Sequence, residues 1–269
     1  MTHRTRTKTW ERYVAIGDSF TEGMCDPDPA QEDAYIGWAD RLASHLAERN
    51  AQQGRPFGYA NLAVRGRLIA DVVGPQLEAA LEMEPDLVSM VGGGNDTLRP
   101  KADLDAIADQ LEEAVITLRS KGIDVLLATS ADPGFAPVMK AVRPRAAVYA
   151  ANVFGIAQRH ECYIIDQWSL RSLRDARMWA PDRLHLTTEG HQRIAAQAAW
   201  ALGERDGDRD WAVPLPPAPP LSRREAITGH AVWAKEYLAP WVQRRLQHRS
   251  SGDNRLAKRP ELSPLDSDA

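Results

Sequence analysis

The sequence YVAIGDSF, residues 13–20, begins with an apolar run of four residues. A glycine, Gly17, follows this run, and the polar residues Asp18 and Ser19 come next. A short run with so little polar alternation is typical of a strand that is covered on both faces of a sheet. Four more runs of this kind follow along the chain, at residues 59–64, 87–91, 125–128 and 163–165. We therefore predict five strands that are buried between other layers of the fold.

Segments with helical spacing separate these runs. Apolar residues recur every three or four positions over residues 35–50 and 104–120, and a last helix is predicted from Thr188 to about Leu202. Because strand and helix alternate along residues 12–166, we predict an α/β fold. Its form is a three-layer α/β/α sandwich around a five-stranded parallel sheet.

Composition limits the classes of function. The chain has a formal net charge of −4, whereas a general nucleic-acid binder usually has a basic excess, so we expect no nucleic-acid partner. No apolar run reaches about 18 residues, so no transmembrane segment is expected. The basic N-terminus is not followed by the apolar region of a secretory signal, and two cysteines, Cys25 and Cys162, suit a reducing compartment. We expect a cytoplasmic protein.

Polar residues follow three of the predicted strands. Ser19 comes directly after the first strand, the second leads into residues 61–66, and the third leads into residues 92–96. Ligands of open parallel sheets bind outside the carboxyl ends of the strands, so Ser19 is placed to act as a nucleophile. A backbone N–H at Gly66 and the amide of Asn95 could bind an oxyanion beside it. Each turn alone would also be explained by helix capping.

A fourth motif, Asp182-Arg-Leu-His185, lies just before the last predicted helix. The imidazole of His185 could remove the hydroxyl proton of a serine during attack on a substrate. A carboxylate three residues earlier could hold that imidazole in the required tautomer. Taken alone, the pair would also fit an ordinary ion pair in a loop that enters a helix.

Together and in this order, the four motifs resemble the sequence blocks of the SGNH hydrolases, also called GDSL esterases and lipases. The resemblance covers residues 12–203, and it departs from the family at Phe20, where leucine gives the family its name. It implies the SGNH hydrolase fold, with the flavodoxin-like strand order 2-1-3-4-5. It further implies a serine esterase that hydrolyses small carboxylic acyl esters through an acyl-enzyme and needs no metal or cofactor.

The resemblance also implies a role for each site residue. Ser19 is expected to be the nucleophile, His185 the general base and then the general acid, and Asp182 the residue that orients His185. The oxyanion hole is expected to consist of the backbone N–H groups of Ser19 and Gly66 and the side chain of Asn95. The partner is a small-molecule ester, and the sequence leaves its identity, the residues that bind it and the oligomeric state open.

Other functions remain open at this stage. A carbohydrate O-deacetylase would use the same triad and the same oxyanion hole. A non-catalytic binding module on the hydrolase fold is a second alternative, although every expected site residue is present, so decay of the site is not indicated. A metallophosphoesterase would need aspartate and histidine ligands at several strand ends, and the sequence lacks that pattern.

The residues after 203 lie outside the resemblance. We predict a hydrolase domain over residues 1–203, a charged and proline-rich connector over 204–220, a C-terminal helical extension over 221–249 and a disordered tail over 250–269. The extension carries Trp233, Tyr237 and Trp241 at intervals of four residues. We expect its helix to dock on the hydrolase body, with lining of the active-site mouth or binding to a membrane or partner protein as alternatives.

Overall fold

The computed structural model describes residues 8–136, 139–204, 209–220, 222–247 and 249–265. These residues contain six strands, β1 (Arg12–Gly17), β2 (Gly58–Asn61), β3 (Leu87–Val91), β4 (Asp124–Ala128), β5 (Tyr163–Ile165) and β6 (Arg259–Pro264). They also contain ten α-helices, α1 (Ser19–Glu22), α2 (Trp38–Ala51), α3 (Ile69–Asp71), α4 (Leu77–Glu82), α5 (Gly94–Thr97), α6 (Leu104–Ser120), α7 (Arg143–Arg159), α8 (Thr188–Ala201), α9 (Arg223–Trp233) and α10 (Ala239–Leu246). None of the described helices is long and apolar enough to cross a membrane.

The six strands form one sheet in the order β5-β4-β3-β1-β2-β6. The first five strands of the chain pair in parallel and in the order 2-1-3-4-5, so the predicted fold class and strand order are confirmed. Ala15 of β1 lies opposite both Asn61 of β2 and Ser89 of β3. The carboxyl ends of these three strands therefore meet at one edge of the sheet, where the predicted motifs begin.

Helices cover both faces of the sheet, which explains why the strands show so little polar alternation. Tyr13 and Ala15 point to one face, into a core that α2 and α8 complete. Val14 and Ile16 point to the other face, where α6 and α7 pack. All four side chains are fully buried. Burial on both faces is the arrangement that parallel sheets require.

The sixth strand corrects the expected strand count and part of the expected disordered tail. Arg259–Pro264 pair with β2 in antiparallel orientation, with Tyr59 opposite Ser263 and Asn61 opposite Arg259. The segment contains two prolines, and proline is a residue type that disfavours a strand and is enriched in disordered segments. Edge strands tolerate proline because one side of the strand has no ladder partner to bond. Residues 266–269 of the expected tail lie outside the described residues.

Candidate active site

The site is built at the carboxyl end of β1. The Asp18 carboxylate accepts a hydrogen bond from the Phe20 N–H at 3.1 Å and so caps α1, whose first residue is Ser19. The Gln76 side chain fixes the end of the strand, because its amide oxygen accepts from the Gly17 N–H at 2.7 Å and its amide nitrogen donates to the Gly17 carbonyl at 3.0 Å. Sequence reasoning missed Gln76, because no local pattern links it to a strand 59 residues earlier.

Three of the predicted site residues form a continuous line of hydrogen bonds. The Ser19 Oγ lies 2.8 Å from the His185 Nε2, and the His185 Nδ1 lies 2.6 Å from the Asp182 Oδ2. The other carboxylate oxygen of Asp182 accepts from the backbone N–H groups of Leu184 and His185, at 2.9 and 3.0 Å. Such a line can pass a proton from a serine hydroxyl to an imidazole while a carboxylate stabilises the resulting cation.

A folded-back loop holds Asp182 and His185 on the same side. The Ala180 N–H donates to the His185 carbonyl at 2.8 Å, and Trp179 forms an antiparallel bridge with Leu186. Arg183, at the tip of the loop, has a positive φ of 60°. The three-residue spacing from Asp182 to His185 therefore reflects a tight turn and not one face of a helix.

The surroundings of Asp182 and His185 move the pKa values of these two residues in opposite directions. Burial lowers the pKa of His185, but the hydrogen bond and charge of Asp182, together with Cys25, outweigh burial and raise that pKa to about 9. Burial raises the pKa of Asp182, and the hydrogen bond and charge of His185 outweigh it, so the net shift is downward. The Cys25 Sγ lies 3.9 Å from the Asp182 Oδ2, a neighbour that the sequence did not suggest. The pair thus favours a carboxylate beside an imidazolium.

Asp182 and His185, together with Cys25, are residues that could hold a metal ion. Cys25, Asp182 and His185 each offer one ligand atom, and these atoms lie within 4.8 Å of one another. No other such group occurs among the residues that the structure describes. Asp182 and His185 already share a hydrogen bond of 2.6 Å with each other.

Asn95 lies on α5, directly after β3. Its amide nitrogen donates to the Asp18 Oδ2 at 3.2 Å and to the Arg67 carbonyl at 2.9 Å. These two bonds use both amide protons and aim the side chain toward the loop that carries Ser19. Burial raises the pKa of Asp18 to about 6, although the Phe20 N–H opposes this shift.

Gly66 lies on the loop after β2. It has a positive φ of 73°, and its carbonyl accepts a hydrogen bond from the Ser250 hydroxyl at 3.3 Å. The preceding residue, Arg65, is tied to α1 through an ion pair with Glu22. The structure thus joins the Gly66 loop both to the helix of Ser19 and to the C-terminal part of the chain.

A cavity of about 180 Å³ opens beside the Ser19 hydroxyl. Ser19, Asn95 and His185 line it, whereas Asp182 lies behind His185 and Gly66 lies outside this lining. The walls are mainly apolar and include Phe20, Met24, Val91, Phe135, Trp179 and Leu186. The rings of Phe135 and Trp179 stack with centroids 4.6 Å apart. Phe20, the departure from the family name, is therefore part of the cavity wall.

His191 is fully buried beneath this cavity and is held as a neutral ring. Its Nδ1 accepts from the Trp38 N–H at 3.3 Å, and its Nε2 lies 3.2 Å from the Met24 carbonyl. Burial lowers the pKa of His191 to about 4. It connects α8 with the loop after α1 and leaves His185 as the imidazole that faces Ser19.

Comparison with known families and structures fits this geometry. The model of the GDSL-like lipase/acylhydrolase family matches residues 15–193. LAE5, an α/β hydrolase from the metagenome of Lake Arreo in Spain, is 25% identical, with a TM-score of 0.60 over 72% of this chain and 95% of that one. No curated protein matches the chain.

Two further solved structures share the fold. Axe2, an acetylxylan esterase from Geobacillus stearothermophilus, is 21% identical, with a TM-score of 0.60 over 74% of this chain and 97% of that one. TesA is 22% identical, with a TM-score of 0.56 over 71% of this chain and 98% of that one.

Gly93, two residues before Asn95, lies where a larger side chain is expected to destabilise the fold. Gly93 and Gly122 both have positive φ, so alanine at either position carries a backbone cost of roughly 1–2 kcal/mol. A Cβ at Gly93 would also lie 2.3 Å from the Tyr149 hydroxyl oxygen, whereas Gly122 faces open space in the described structure. We expect Gly93→Ala to lower the free energy of unfolding by about 1–3 kcal/mol more than Gly122→Ala, through overpacking. Urea unfolding measures both, and equal losses would contradict the close contact with Tyr149.

Proposed function

This chain belongs to the GDSL-like lipase/acylhydrolase family and is a carboxylic ester hydrolase, and on that premise we propose that Ser19, His185 and Asp182 carry the catalysis. The observation that supports the proposal most directly is the line of hydrogen bonds from the Ser19 Oγ, through both ring nitrogens of His185, to the Asp182 Oδ2. A serine hydroxyl is a weak nucleophile at neutral pH, and a hydrogen-bonded imidazole is the group that activates it.

In the proposed reaction, the Ser19 Oγ attacks the carbonyl carbon of the ester and the His185 Nε2 takes the hydroxyl proton. The C–O bond to the alcohol then breaks, and His185 returns the proton to the leaving oxygen. Water then attacks the acyl carbon and His185 takes its proton; the bond from the acyl carbon to the Ser19 Oγ breaks, His185 returns the proton to that oxygen, and the carboxylic acid leaves. Asp182 holds the ring through Nδ1 and stabilises the imidazolium in both halves of the reaction.

We propose that the oxyanion is bound by the backbone N–H groups of Ser19 and Gly66 and by the Asn95 amide. The 3.2 Å contact from Asn95 to Asp18 is longer than its 2.9 Å contact to the Arg67 carbonyl. We infer that the oxyanion replaces Asp18 as the acceptor of that proton, while the bond to Arg67 keeps the side chain in place. A fixed donor of this kind lowers the barrier because it does not have to reorient during the reaction.

The cavity supports short acyl esters as the substrate class. Its volume of about 180 Å³ is below the several hundred that enclose a larger ligand, and its walls are mainly apolar. A sugar ring needs several donors and acceptors for its hydroxyls. Besides the proposed catalytic groups, the lining has polar side chains at Thr129, Ser130, Gln167 and Arg183, whereas those of Asp18, Thr97 and Tyr149 already bond within the protein. We therefore place small acyl esters before acetylated sugars.

The hydrolase domain boundary at residue 203 and the cytoplasmic location also stay predictions.

Replacement of Ser19 and His185 tests whether they act as one unit. Ser19→Ala and His185→Ala are each expected to lower kcat for p-nitrophenyl acetate by roughly 10⁴, and the double variant is expected to lose little more. The exposed Ser120, whose hydroxyl donates to the Thr117 carbonyl of its own helix, provides the control Ser120→Ala, with kcat expected to stay within about twofold of the native value. Steady-state kinetics of the four variants measures this. Losses that multiply in the double variant would mean that the two residues act separately.

The raised pKa of His185 predicts alkaline activity. The unprotonated ring is the base, so kcat/KM is expected to rise with pH with a midpoint at about 9, and to approach its plateau about one pH unit higher. Asp182→Asn removes the charge that helps to raise the pKa of His185, so the midpoint of the rise is expected to move to lower pH, with a lower plateau. Rates are measured from pH 6 to 10 with Ser19→Ala as the blank for uncatalysed hydrolysis. A midpoint that Asp182→Asn leaves unchanged would assign the titration to another group.

Chain-length preference tests the substrate class. The small cavity predicts that kcat/KM is highest for p-nitrophenyl esters of two to four acyl carbons and at least tenfold lower at about twelve. Acetylated xylose and glucose, assayed by acetate release, distinguish a sugar deacetylase. A kcat/KM for the acetylated sugars above that for p-nitrophenyl acetate would favour the deacetylase instead.

A further inference from the structure

The C-terminal segment, residues 222–247 and 249–265, lies beyond the part of the chain that the family model matches, yet it contacts two loops and one helix that build the candidate site. The Ser250 hydroxyl bonds to the loop of Gly66, and the Lys258 Nζ donates to the Glu22 carbonyl at 2.7 Å, at the end of α1. The third contact reaches the loop of Asp182 and His185. It comes from Trp233, the last residue of α9.

Trp233 binds the main chain of Asp182, the residue that is proposed to orient His185. Its indole Nε1 donates to the Asp182 carbonyl oxygen at 2.8 Å, and the residue is only 7% exposed. It is the buried residue of α9, most of which is exposed. A buried helix side chain that makes one polar contact, to one loop, couples the position of that loop to the position of the helix.

The next residue of the loop is held by the same helix. The Arg183 guanidinium lies over the Trp233 ring, with its carbon 5.1 Å from the ring centroid. Its nitrogens contact the His230 Nδ1 at 2.7 Å and donate to the Gly229 carbonyl at 3.2 Å. Arg183 also borders the cavity beside Ser19. The helix α9 therefore binds both the side chain of Arg183 and the carbonyl that precedes it.

The backbone conformation of the loop depends on contacts such as these. Arg183 has a positive φ, which a non-glycine residue adopts only when surrounding contacts stabilise it. This residue lies between Asp182 and His185, so relaxation of its backbone would turn the two side chains relative to each other. A hydrogen bond of 2.6 Å between them leaves little room for such a change.

We propose that Trp233 is a positioning residue of the active site, which holds the Asp182–His185 loop through the Asp182 carbonyl. This proposal rests on the proposed catalytic roles of Asp182 and His185. Trp233 acts through Asp182 and has no role in binding the ester. The C-terminal segment of this chain thereby helps to position the active site, although it lies outside the residues that the family model matches.

Trp233→Phe removes the indole N–H and keeps most of the ring that packs on the loop. Trp241→Phe is the matched control, because Trp241 lies on α10 of the same segment and its ring contacts Arg245 instead of the loop. Both are made in the full chain. The assay gives kcat, KM and the pH profile with p-nitrophenyl acetate, at a temperature where circular dichroism shows each variant to be folded.

We expect Trp233→Phe to lower kcat by about three- to tenfold, the effect of one lost hydrogen bond, with KM within about twofold of the native value. The midpoint of the pH profile is expected to move to lower pH, because a looser contact with Asp182 supports the His185 cation less well. Trp241→Phe is expected to leave all three quantities unchanged. An unchanged kcat in Trp233→Phe, or an equal loss in Trp241→Phe, overturns the proposal.

Hydrogen exchange gives a second measurement that does not depend on catalysis. In the Ser19→Ala background, Trp233→Phe is expected to speed amide exchange at Ala180, Leu184 and His185, whose N–H groups bond within the loop. Unchanged exchange there would show that Trp233 does not hold the loop and would overturn the proposal. Faster exchange together with an inactive native enzyme would instead reject the proposed function and leave the contact with the loop intact.

Discussion

A parallel sheet that is buried on both faces has one edge at which chemistry can be placed. Its strands have no solvated face, so the polar side chains that can meet a ligand lie where the strands end and the next helices begin. In this chain the ends of β1 and β3 provide Ser19 and Asn95, and a loop before α8 completes the line with His185. The order 2-1-3-4-5 brings these ends together, because β1 lies between β2 and β3.

Ionised side chains that are buried at the carboxyl ends of the strands need groups of opposite charge or hydrogen-bond partners. A buried carboxylate or imidazolium is costly unless another group stabilises it. Asp182 and His185 meet this requirement in each other, and the two backbone N–H groups on Asp182 add to it. Asp18 has weaker support, so its pKa moves up, whereas His191 loses its charge altogether. The pKa values of the two histidines thus move in opposite directions, because His185 faces a carboxylate whereas His191 faces a backbone carbonyl and an N–H.

Much of this architecture could be predicted from the sequence, because it depends on local patterns. The apolar runs gave the five parallel strands, and the motifs gave the residues at their ends. Gln76 and Cys25 could not be predicted, since their contacts with Gly17 and Asp182 depend on how distant segments fold together. The strand β6 was missed because two prolines suggested disorder, and only the free edge of β2 explains why it forms. The tryptophan spacing did indicate docking, which is confirmed at Trp233, but not which loop it would meet.

The central claim is that Ser19 is a nucleophile activated by His185, and covalent labelling tests it most directly. A fluorophosphonate reacts with an activated serine and leaves a stable adduct that intact-mass spectrometry and peptide mapping can locate. The account predicts a single adduct, on the peptide that contains Ser19, which is absent in Ser19→Ala and forms far more slowly in His185→Ala. A native enzyme that stays unlabelled, or an adduct on another residue, would contradict it.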